Sequence, residues 1–391
     1  MTKLEQLINE LCPNGVEYRT LGEMATIVRG ASPRPIKNFI TNNSDGVNWI
    51  KIGDVKQGSK YITETAEKIT PEGAKKSRFV KEGDFILSNS MSFGRPYILK
   101  TKGCIHDGWL AISNIEQYFI PDFLYHLLNS NKYQQMMRQK ASFGGAVQNL
   151  NADIVRELEM PVIALEVQSE IVRILDNFAE LTAELTAELT ARKKQYEYYR
   201  DFLFANAKDA VSITLDKISE NCDAQRKPVT SGKREAGDIP YYGASGIVDY
   251  VKDYIFDGDY LLVSEDGANL LARNTPIAFS ISGKTWVNNH AHILKFDEYD
   301  TRRYVEIYLN SIDLSYYITG GAQPKLNQKN LNKIEIPLPP LDEQKRIVAI
   351  LDRFDTLCND ISAGLPAEIE ARQKQYEFYR DKLLTFKALS T

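Results

Sequence analysis

The chain repeats itself once, and this internal repeat constrains the fold more than any other feature, because each copy should form the same structural unit. The segment MPVIALEVQSEIVRILDNF, which begins at Met160, returns as IPLPPLDEQKRIVAILDRF from Ile336, a shift of 176 residues. Further on, RKKQYEYYRDFL (192–203) returns as RQKQYEFYRDKL (372–383). Because the matches agree in order and chemistry, we interpret the chain as a duplication.

The parts of the two copies that precede these segments agree only in outline. Of these parts, GGAVQNLN (144–151) clearly matches GGAQPKLN (320–327). Three weaker matches precede it in the same order: T-L-[GD]-x-[MI] at Thr20 and Thr214, an apolar strand after Gly-Asp at Gly83 and Gly258, and a helix around Asp122–Asn129 and Arg303–Asn310. The stretches between them have diverged. Two readers of different ligands on one scaffold fit this pattern, and the alternative is a duplicated domain whose loops drifted without function.

The first copy predicts one long helix, since Glu166 to Ala205 contains no Gly or Pro. With Thr182 and Arg192 included, apolar positions recur in steps of four and three: Ile171, Leu175, Phe178, Leu185, Leu189, Tyr196, Tyr199 and Leu203. This heptad spacing is typical of a helix that packs on another helix. Forty helical residues span about 60 Å, so we expect this helix to connect two bodies.

The second copy predicts a partner helix from Leu341 to Phe386. Its apolar series is Ile347, Leu351, Phe354, Leu357, Ile361, Ile369, Tyr376, Tyr379 and Leu383. Four extra residues lie near Ala363–Pro366, and because proline fits only the first turn of a helix, we expect a kink or short break there. The natural arrangement is an antiparallel pair with one globule at each end.

The first helix also contains the tandem tetrapeptide TAELTAEL, at 182–189. Each tetrapeptide adds about 6 Å of helix and about 40° of rotation, which corresponds to about one to two base pairs of B-DNA. One hypothesis is that the repeat sets the distance between two bound half-sites. The alternative is helix filler that arose by replication slippage.

Composition and charge favour a globular protein with two kinds of surface. Hydrophobic residues make up 43% and charged residues 26% of the chain, and because no apolar run approaches the roughly 20 residues of a membrane helix, we expect no membrane partner. The start of the chain lacks a signal peptide's apolar core, so we expect a cytoplasmic protein. Residues 17–157 contain 19 Lys/Arg against 14 Asp/Glu, whereas 158–209 contain 6 against 10. This distribution suits DNA on one surface and protein partners on another.

The sequence lacks the motifs of an enzyme of this size. It contains neither GxxxxGK[ST] nor GxGxxG, and its only Pro-Pro pair lies between leucines, unlike the motif with which an adenine methyltransferase holds its base. The four cysteines are far apart, which predicts free thiols rather than zinc ligands or disulfides. His290 with His292 as metal ligands, and a nuclease built from Asp45, Asp54 and Lys56, are weak alternatives. We therefore predict no catalytic residue and no metal site.

The repeated segments carry a resemblance to a known family. QSEIVRILDNF, TAELTAEL and RKKQYEYYRD, with their return as EQKRIVAILDRF and RQKQYEFYRD, resemble the conserved regions of type I restriction–modification specificity subunits, in particular the type IC-like subgroup with a TAEL spacer. The resemblance extends over essentially the whole chain, although only the conserved regions are specific.

The resemblance implies a non-catalytic specificity subunit that binds double-stranded DNA. Each of two target-recognition domains would read one half of a split, asymmetric site. Two methyltransferase subunits would dock on the helices, bind S-adenosylmethionine and methylate adenine at N6. Two motor-nuclease subunits would use ATP and Mg²⁺, so this chain would hold no cofactor. The rival hypotheses are a tandem-domain scaffold that binds only proteins, a related modification system without a motor, and a cryptic nuclease.

The predicted fold is α+β, with two mixed α/β target-recognition domains separated by a pair of long antiparallel coiled-coil helices. The predicted boundaries are 1–159 for the first domain, 160–209 for the first conserved helix, 210–335 for the second domain and 336–391 for the second conserved helix.

Candidate DNA-contacting residues have paired donors and acceptors or a positive charge, and lie in polar loops. In the first domain they are Arg34, Lys37, Asn89, Arg95, Gln148 and Asn149, and in the second Lys227, Lys233, Arg234, Asn269, Arg273, Gln323 and Lys325. Candidates for helix packing or partner docking recur in both copies: Tyr196, Tyr199 and Arg200, with Tyr376, Tyr379 and Arg380.

Overall fold

The chain forms two compact units in its computed structural model, which describes residues 2–56, 58–89, 93–141, 150–320 and 323–389. The first unit comprises Met1–Leu185 together with Ile369–Thr391, and the second comprises Thr186–Glu368. Each unit thus combines one copy of the repeat with part of the other copy's helical segment.

The first unit has mixed α/β structure. Its strands are β1 (Glu17–Thr20), β2 (Thr26–Arg29), β3 (Ile40–Thr41), β4 (Val47–Ile50), β5 (Tyr61–Ile62), β6 (Glu67–Ile69), β7 (Arg78–Val80), β8 (Phe85–Ser88), β9 (Pro96–Leu99), β10 (Gly103–Ile105), β11 (Trp109–Ser113) and β12 (Glu159–Val162). Its helices are α1 (Lys3–Leu11), α2 (Leu21–Met24), α3 (Pro71–Lys75), α4 (Pro121–Asn129), α5 (Asn131–Ala141), α6 (Ala152–Arg156) and the first part of α7 (Leu165–Ala205).

Two five-stranded sheets, in the orders β3-β6-β4-β10-β7 and β2-β11-β8-β9-β5, form the body of the first unit. β1 pairs antiparallel with β12, with Thr20 opposite Glu159. β8 and β11 are buried throughout or nearly so, which follows from their continuous apolar runs. Asn151 N-caps α6 through a 2.9 Å hydrogen bond from the amide of Ile154, so the last residue of the GGAVQNLN match has a defined structural role.

The second unit has a single larger sheet in the order β14-β19-β17-β18-β15-β16. Its strands are β13 (Val211–Thr214), β14 (Glu220–Asn221), β15 (Ala236–Gly243), β16 (Gly246–Val251), β17 (Phe256–Ser264), β18 (Ala278–Val287), β19 (Ala291–Lys295) and β20 (Glu335–Leu338). Its helices are the rest of α7, α8 (Asn269–Ala272), α9 (Tyr299–Ser311), α10 (Gln328–Leu331) and α11 (Leu341–Asn359).

The repeat is visible in the local structure of the second unit. β13 pairs antiparallel with β20, with Thr214 opposite Glu335, as β1 pairs with β12 in the first unit. Asn327 N-caps α10 through a 3.0 Å hydrogen bond from Asn330. The divergent sequences therefore keep the same frame around different sheets, which confirms the predicted duplication of a mixed α/β domain.

The long helix α7 confirms the predicted heptad helix, since it runs unbroken for 41 residues. In the first unit Ile171 and Leu175 are fully buried, and in the second unit Leu203 is buried. Phe178 and Leu185, from the same series, are half-buried, and the residues between them mostly face solvent. The spacing therefore identified the packed face correctly.

The second conserved helix is broken, as predicted, into α11 and α12 (Leu365–Leu383). Asp360 Oδ1 accepts hydrogen bonds from the amides of Ser362 and Ala363, which turns the chain. A Cβ on Gly364 would lie 2.5 Å from the carbonyl oxygen of Thr356, so this position requires glycine. The inclusion of Ile361 in the heptad series was wrong, because it lies in this turn and is 83% exposed.

Within each unit, the two conserved helical segments pack against each other. In the first unit Phe178 of α7 stacks on Tyr379 of α12, with ring centroids 5.5 Å apart. In the second unit Tyr196 and Tyr199 of α7 lie against Phe354 of α11, at 6.5 and 5.8 Å.

Candidate functional site

The loop that carries Arg34 and the residue that follows β8, Asn89, meet at Asp107, in the turn between β10 and β11. Asp107 accepts hydrogen bonds on its carboxylate from Ser32 Oγ (2.6 Å) and from Arg34 Nη2 (3.3 Å). Its carbonyl oxygen accepts one from Asn89 Nδ2 at 2.8 Å. The Ser32 hydroxyl is the main cause of the lowered pKa of Asp107. The amide of Leu150 donates to the carbonyl of Asn89 at 2.7 Å, so the residue that precedes Asn151 is attached at the same place.

A cleft of about 300 Å³ opens beside this meeting point. Arg34 and Lys51 supply positive charge at its walls, and the ring of His106 supplies aromatic surface. Burial lowers the pKa of His106, which favours the neutral ring. The mixture of cations, one carboxylate and aromatic faces suits a polyanionic ligand with planar, hydrogen-bonding groups.

The corresponding loops of the second unit meet at Glu265, directly after β17. Glu265 accepts from Arg226 Nη1 at 2.6 Å and pairs with Lys325 Nζ at 3.0 Å. The amide of Leu326 donates to its carbonyl oxygen at 2.8 Å. Burial raises the pKa of Glu265, but the hydrogen bonds from Arg226 and Lys325 outweigh that effect and the net shift is downward. The carboxylate therefore carries the charge that holds both cations.

Asn89 and Glu265 occupy equivalent places, 176 residues apart. Each follows a buried strand and a serine, and each accepts on its carbonyl oxygen from the leucine that precedes an N-cap asparagine. The amide of Asn89 donates to the carbonyl oxygen of Gly108 at 3.1 Å, and the amide of Glu265 donates to the carbonyl oxygen of His290 at 2.9 Å. Gly108 directly precedes β11, and His290 directly precedes β19. Sequence reasoning matched the strands that follow Gly83 and Gly258, but it did not pair the residues directly after them, which the 176-residue shift aligns.

His292, considered as a metal ligand from the sequence, has a structural role in the second unit. It is 1% exposed, and its ring nitrogens lie 2.5 Å from Asp223 Oδ2 and 2.7 Å from the carbonyl oxygen of Leu326. Both partners are acceptors, so both ring nitrogens donate when the two bonds are formed. Among the described residues, no group of three His, Cys, Asp or Glu side chains is arranged to hold a metal ion.

The structure places the candidate DNA-contacting residues in three groups. The exposed ones are Arg34, Lys37, Arg95, Lys227, Lys233, Gln323 and Lys325. Those with side chains engaged inside their own unit are Asn89, Arg234, Asn269 and Arg273. Gln148 and Asn149 lie outside the described residues.

Asn89 and Asn269 hold loops together instead of presenting free amides. Asn89 is 2% exposed and donates to the Asp107 carbonyl. Asn269 exchanges two 3.0 Å hydrogen bonds with the backbone of Thr275 and closes the loop after α8. The amide groups of both residues already have backbone partners, and their direct contact with DNA stays a prediction.

The two arginines among the engaged residues are also committed to intramolecular partners. Arg234 pairs with Asp249 at 2.9 Å, and its guanidinium lies 4.3 Å from the centroid of the Tyr241 ring. Arg273 donates to the carbonyl oxygens of Leu309 and Ile312 at the end of α9, at 3.5 and 3.0 Å. Both arginines therefore stabilise their own unit, and their contact with DNA stays a prediction.

The candidate helix residues of the second unit pack on α11. Tyr196 and Tyr199 contact Phe354, as described above, and Arg200 pairs with Asp201 at 2.8 Å while lying over the Tyr196 ring. Next to this contact, Asp352 accepts from Arg303 Nε of α9 at 2.7 Å.

The candidate helix residues of the first unit form the matching contacts. Tyr376 lies with its hydroxyl 3.0 Å from His126 Nδ1, and His126 Nε2 is 2.9 Å from Asp176 Oδ1. Burial raises the pKa of Tyr376 to about 12, so the phenol stays protonated. Arg380 is buried beside it and pairs with Asp381 at 3.0 Å. Asp176 and Asp352, 176 residues apart, thus tie the globular part of each unit to its helices.

The same helical segments also expose aromatic side chains that sequence reasoning passed over. Tyr198 on α7 is 64% exposed, and the equivalent Phe378 on α12 is 63% exposed. Phe202 stacks on Tyr198 and is itself 49% exposed. Tyr198 and Phe378 each directly precede a tyrosine of the packed series, and this position was the sequence signal that they lie off the packed face.

In the part of the chain that the structure describes, no helix combines the length and the apolar character of a transmembrane span.

Comparison with known proteins gives one consistent answer. The chain is 38% identical over 174 residues to the putative type I restriction enzyme specificity subunit S.HindORF215P of Haemophilus influenzae, a match that spans 44% of this chain and 45% of that relative. It is 29% identical over 368 residues to the EcoprrI type I restriction enzyme specificity subunit of Escherichia coli, covering 89% of each.

Structural comparison agrees on the fold. The crystal structure of the type I restriction–modification S subunit from M. genitalium superimposes with a TM-score of 0.54 at 16% identity, over 98% of this chain and 99% of that one. The family described as type I restriction modification DNA specificity domain matches twice, at residues 13–192 and 208–371, once per copy of the repeat. The chain therefore belongs to the type I restriction–modification DNA specificity domain family.

Proposed function

We propose that this chain is the non-catalytic specificity subunit of a type I restriction–modification complex, and that each unit contacts one half of a split, asymmetric site in double-stranded DNA. The observation that carries the proposal is the repeated meeting point of loops. The backbone arrangement around Asn89 is the same as that around Glu265, whereas the side chains gathered there differ. A shared backbone arrangement that carries different side chains in the two units suits the recognition of two different DNA half-sites.

The exposed candidates supply the chemistry for DNA contact. Arg34, Lys37 and Arg95 in the first unit, and Lys227, Lys233 and Lys325 in the second, suit phosphate oxygens or guanine edges. Gln323 offers an amide that can pair with adenine. We keep Gln148 and Asn149 as candidates on their sequence context alone. Lys325 is held at the meeting point by Glu265 and still has 53% of its side chain exposed.

We further propose that two methyltransferase subunits dock on the conserved helices. These subunits would bind S-adenosylmethionine and methylate adenine at N6, and two motor-nuclease subunits with ATP and Mg²⁺ would complete the restriction complex in the cytoplasm. Tyr198 and Phe378 support this docking, because an exposed aromatic residue at equivalent positions of both copies offers two identical partners the same contact.

The four-part division predicted from the sequence belongs to this proposal, with recognition domains at 1–159 and 210–335 and conserved helices at 160–209 and 336–391. The assignment to the subgroup with a TAEL spacer is also part of this proposal. In this arrangement an asymmetric chain places two identical enzymes on the two DNA strands, whereas a true dimer would require a palindromic site.

Methylome sequencing tests the proposal. A methylation-free host would express the methyltransferase encoded beside this chain, with and without the chain. We expect a split, non-palindromic N6-methyladenine motif only when the chain is present. A co-purifying complex that yields no motif would refute the DNA-reading role and favour a scaffold that binds only proteins.

A further inference from the structure

His290 lies in the turn between β18 and β19, at the meeting point of loops in the second unit. Its side chain is 51% exposed, and its Nδ1 lies 2.8 and 3.0 Å from the two carboxylate oxygens of Asp266. Asp266 immediately follows Glu265, and its backbone forms a bridge with Lys325. The ring is therefore held by the residue whose backbone pairs with that of Lys325, which we have proposed to contact DNA.

The backbone of His290 is fixed on both sides. Its amide donates to Asn288 Oδ1 at 2.8 Å, and its carbonyl oxygen accepts from the amide of Glu265 at 2.9 Å. Asn288 is itself 6% exposed. An exposed side chain on a fixed backbone, with one ring nitrogen already bound, loses little conformational entropy when the other nitrogen meets a ligand.

The orientation of the ring is not needed for the stability of the fold. An ion pair or hydrogen bond between two solvent-accessible side chains contributes little to the stability of a fold. His292, two residues further on, has the structural position, since it is buried between Asp223 and the Leu326 carbonyl. The two histidines of the NNHAH segment therefore have different roles.

The chemistry of the pair determines what His290 presents to a ligand. An ionised carboxylate only accepts hydrogen bonds, so Asp266 takes the proton-bearing Nδ1 of the ring. The neutral ring then keeps an unprotonated Nε2, which accepts a hydrogen bond. In the major groove the matching donors are the exocyclic amino groups, N6 of adenine and N4 of cytosine.

We infer that His290, oriented by Asp266, is a specificity-determining residue that accepts a hydrogen bond from an exocyclic amino group of one base in the half-site of the second unit. The inference rests on the proposed function, because it requires that the chain reads DNA at this surface. It adds a residue outside the thirteen loop candidates.

The first experiment is methylome sequencing of the complete complex with His290→Ala, His290→Asn and Asp266→Asn, and with Lys333→Ala as an exposed control in the same unit. We expect His290→Ala to relax one base in one half of the motif and to leave the other half unchanged. Asp266→Asn should relax the same base less. Lys333→Ala should reproduce the wild-type motif. A wild-type complex without any motif would refute the proposed function itself, whereas an unchanged motif in His290→Ala would refute only this inference.

The second experiment removes the amino group from the DNA. Duplexes carry purine in place of adenine, or 2-pyrimidinone in place of cytosine, at the relaxed position, and binding of the purified complex is measured. The wild type should lose on the order of tenfold in affinity for one of the two analogues, which identifies the base. His290→Ala should show no loss. Equal losses in wild type and variant would overturn the inference, and His290→Asn serves for this comparison if His290→Ala fails to assemble.

Discussion

Glu265→Gln isolates the role of the carboxylate at which the loops of the second unit meet. The substitution keeps the shape of the side chain and one acceptor oxygen, and leaves the backbone hydrogen bond from Leu326 in place. It removes the charge that holds Arg226 at 2.6 Å and Lys325 at 3.0 Å. The NH2 group of the new glutamine donates hydrogen bonds, as does the Lys325 ammonium, so the two groups cannot bond to each other.

The expected magnitude follows from these contacts. A hydrogen bond to a charged group contributes about 1.5–3 kcal/mol and a neutral one about 1 kcal/mol, so the Arg226 contact should lose about 1 kcal/mol. Lys325 is half exposed, so its ion pair should contribute no more than about 1 kcal/mol. The total, about 2 kcal/mol, corresponds to an increase of about 30-fold in the population of open loop.

Hydrogen–deuterium exchange of the whole chain measures this opening directly. The amide of Leu326, which donates to the Glu265 carbonyl oxygen, should exchange about 30-fold faster in Glu265→Gln, provided that exchange follows local opening. Peptides around Leu150 in the first unit should be unchanged. Glu235→Gln is the matched control, because Glu235 pairs with Lys252 at 3.2 Å with both side chains exposed.

The pH dependence gives an independent check with a defined sign. The pKa of Glu265 is lowered in the folded chain. Its contribution is therefore fully present above the unfolded value of about 4.3 and is lost as the pH falls through the lower, folded value. Protection of the Leu326 amide should decline in acid for the wild type and decline less in Glu265→Gln. Wild-type exchange rates in Glu265→Gln would refute the assignment of Glu265, as would equal acceleration in both units.

Three further predictions concern the helices and the DNA contacts. Tyr198→Ala and Phe378→Ala should each weaken binding of the methyltransferase by about tenfold or more in a binding titration. Tyr316→Ala is the control, because it removes a ring that is 91% exposed outside the conserved helices, and it should leave this binding unchanged. Deletion of Thr182–Leu185 should shorten the spacer of the methylated motif by about one to two base pairs, and an unchanged spacer would contradict the ruler hypothesis. Arg34→Ala should weaken binding to all sequences alike and reduce the salt slope by about one, so a change of motif without a change of slope would assign Arg34 to base contact instead.

Sequence reasoning predicted the helices well because their signals are local. The heptad steps from Ile171 to Leu203 depend only on residue spacing, and α7 follows them without interruption. The four extra residues and Pro366 located the break between α11 and α12. Ile361 was wrongly assigned to the packed face, because residue type alone does not distinguish an apolar residue in a turn from one on a packed helix face.

The loop residues were harder to predict, because their roles depend on partners that are distant in sequence. Arg34 and Arg273 looked alike, yet Arg34 has 83% of its side chain exposed and Arg273 caps the end of a helix 36 residues further on. Asp107 was not singled out at all, since a lone Asp in a turn carries no local pattern. Composition and charge cannot distinguish a cation that faces DNA from one that faces a carbonyl oxygen.

Backbone hydrogen bonds in the loops and side-chain packing between the helices explain why the two copies of the repeat diverged in the loops. At the meeting points, the conserved links are backbone hydrogen bonds, from Leu150 to Asn89 and from Leu326 to Glu265, and these form whatever side chain the acceptor residue carries. The side chains there can therefore change without loss of the frame, from an amide in one unit to a carboxylate in the other. In the helices, by contrast, side chains make the contacts: Tyr379 stacks on Phe178, and Tyr199 on Phe354. A change there removes the contact itself, so the side chains at the loops can diverge between the two copies while those of the packed helix faces are constrained.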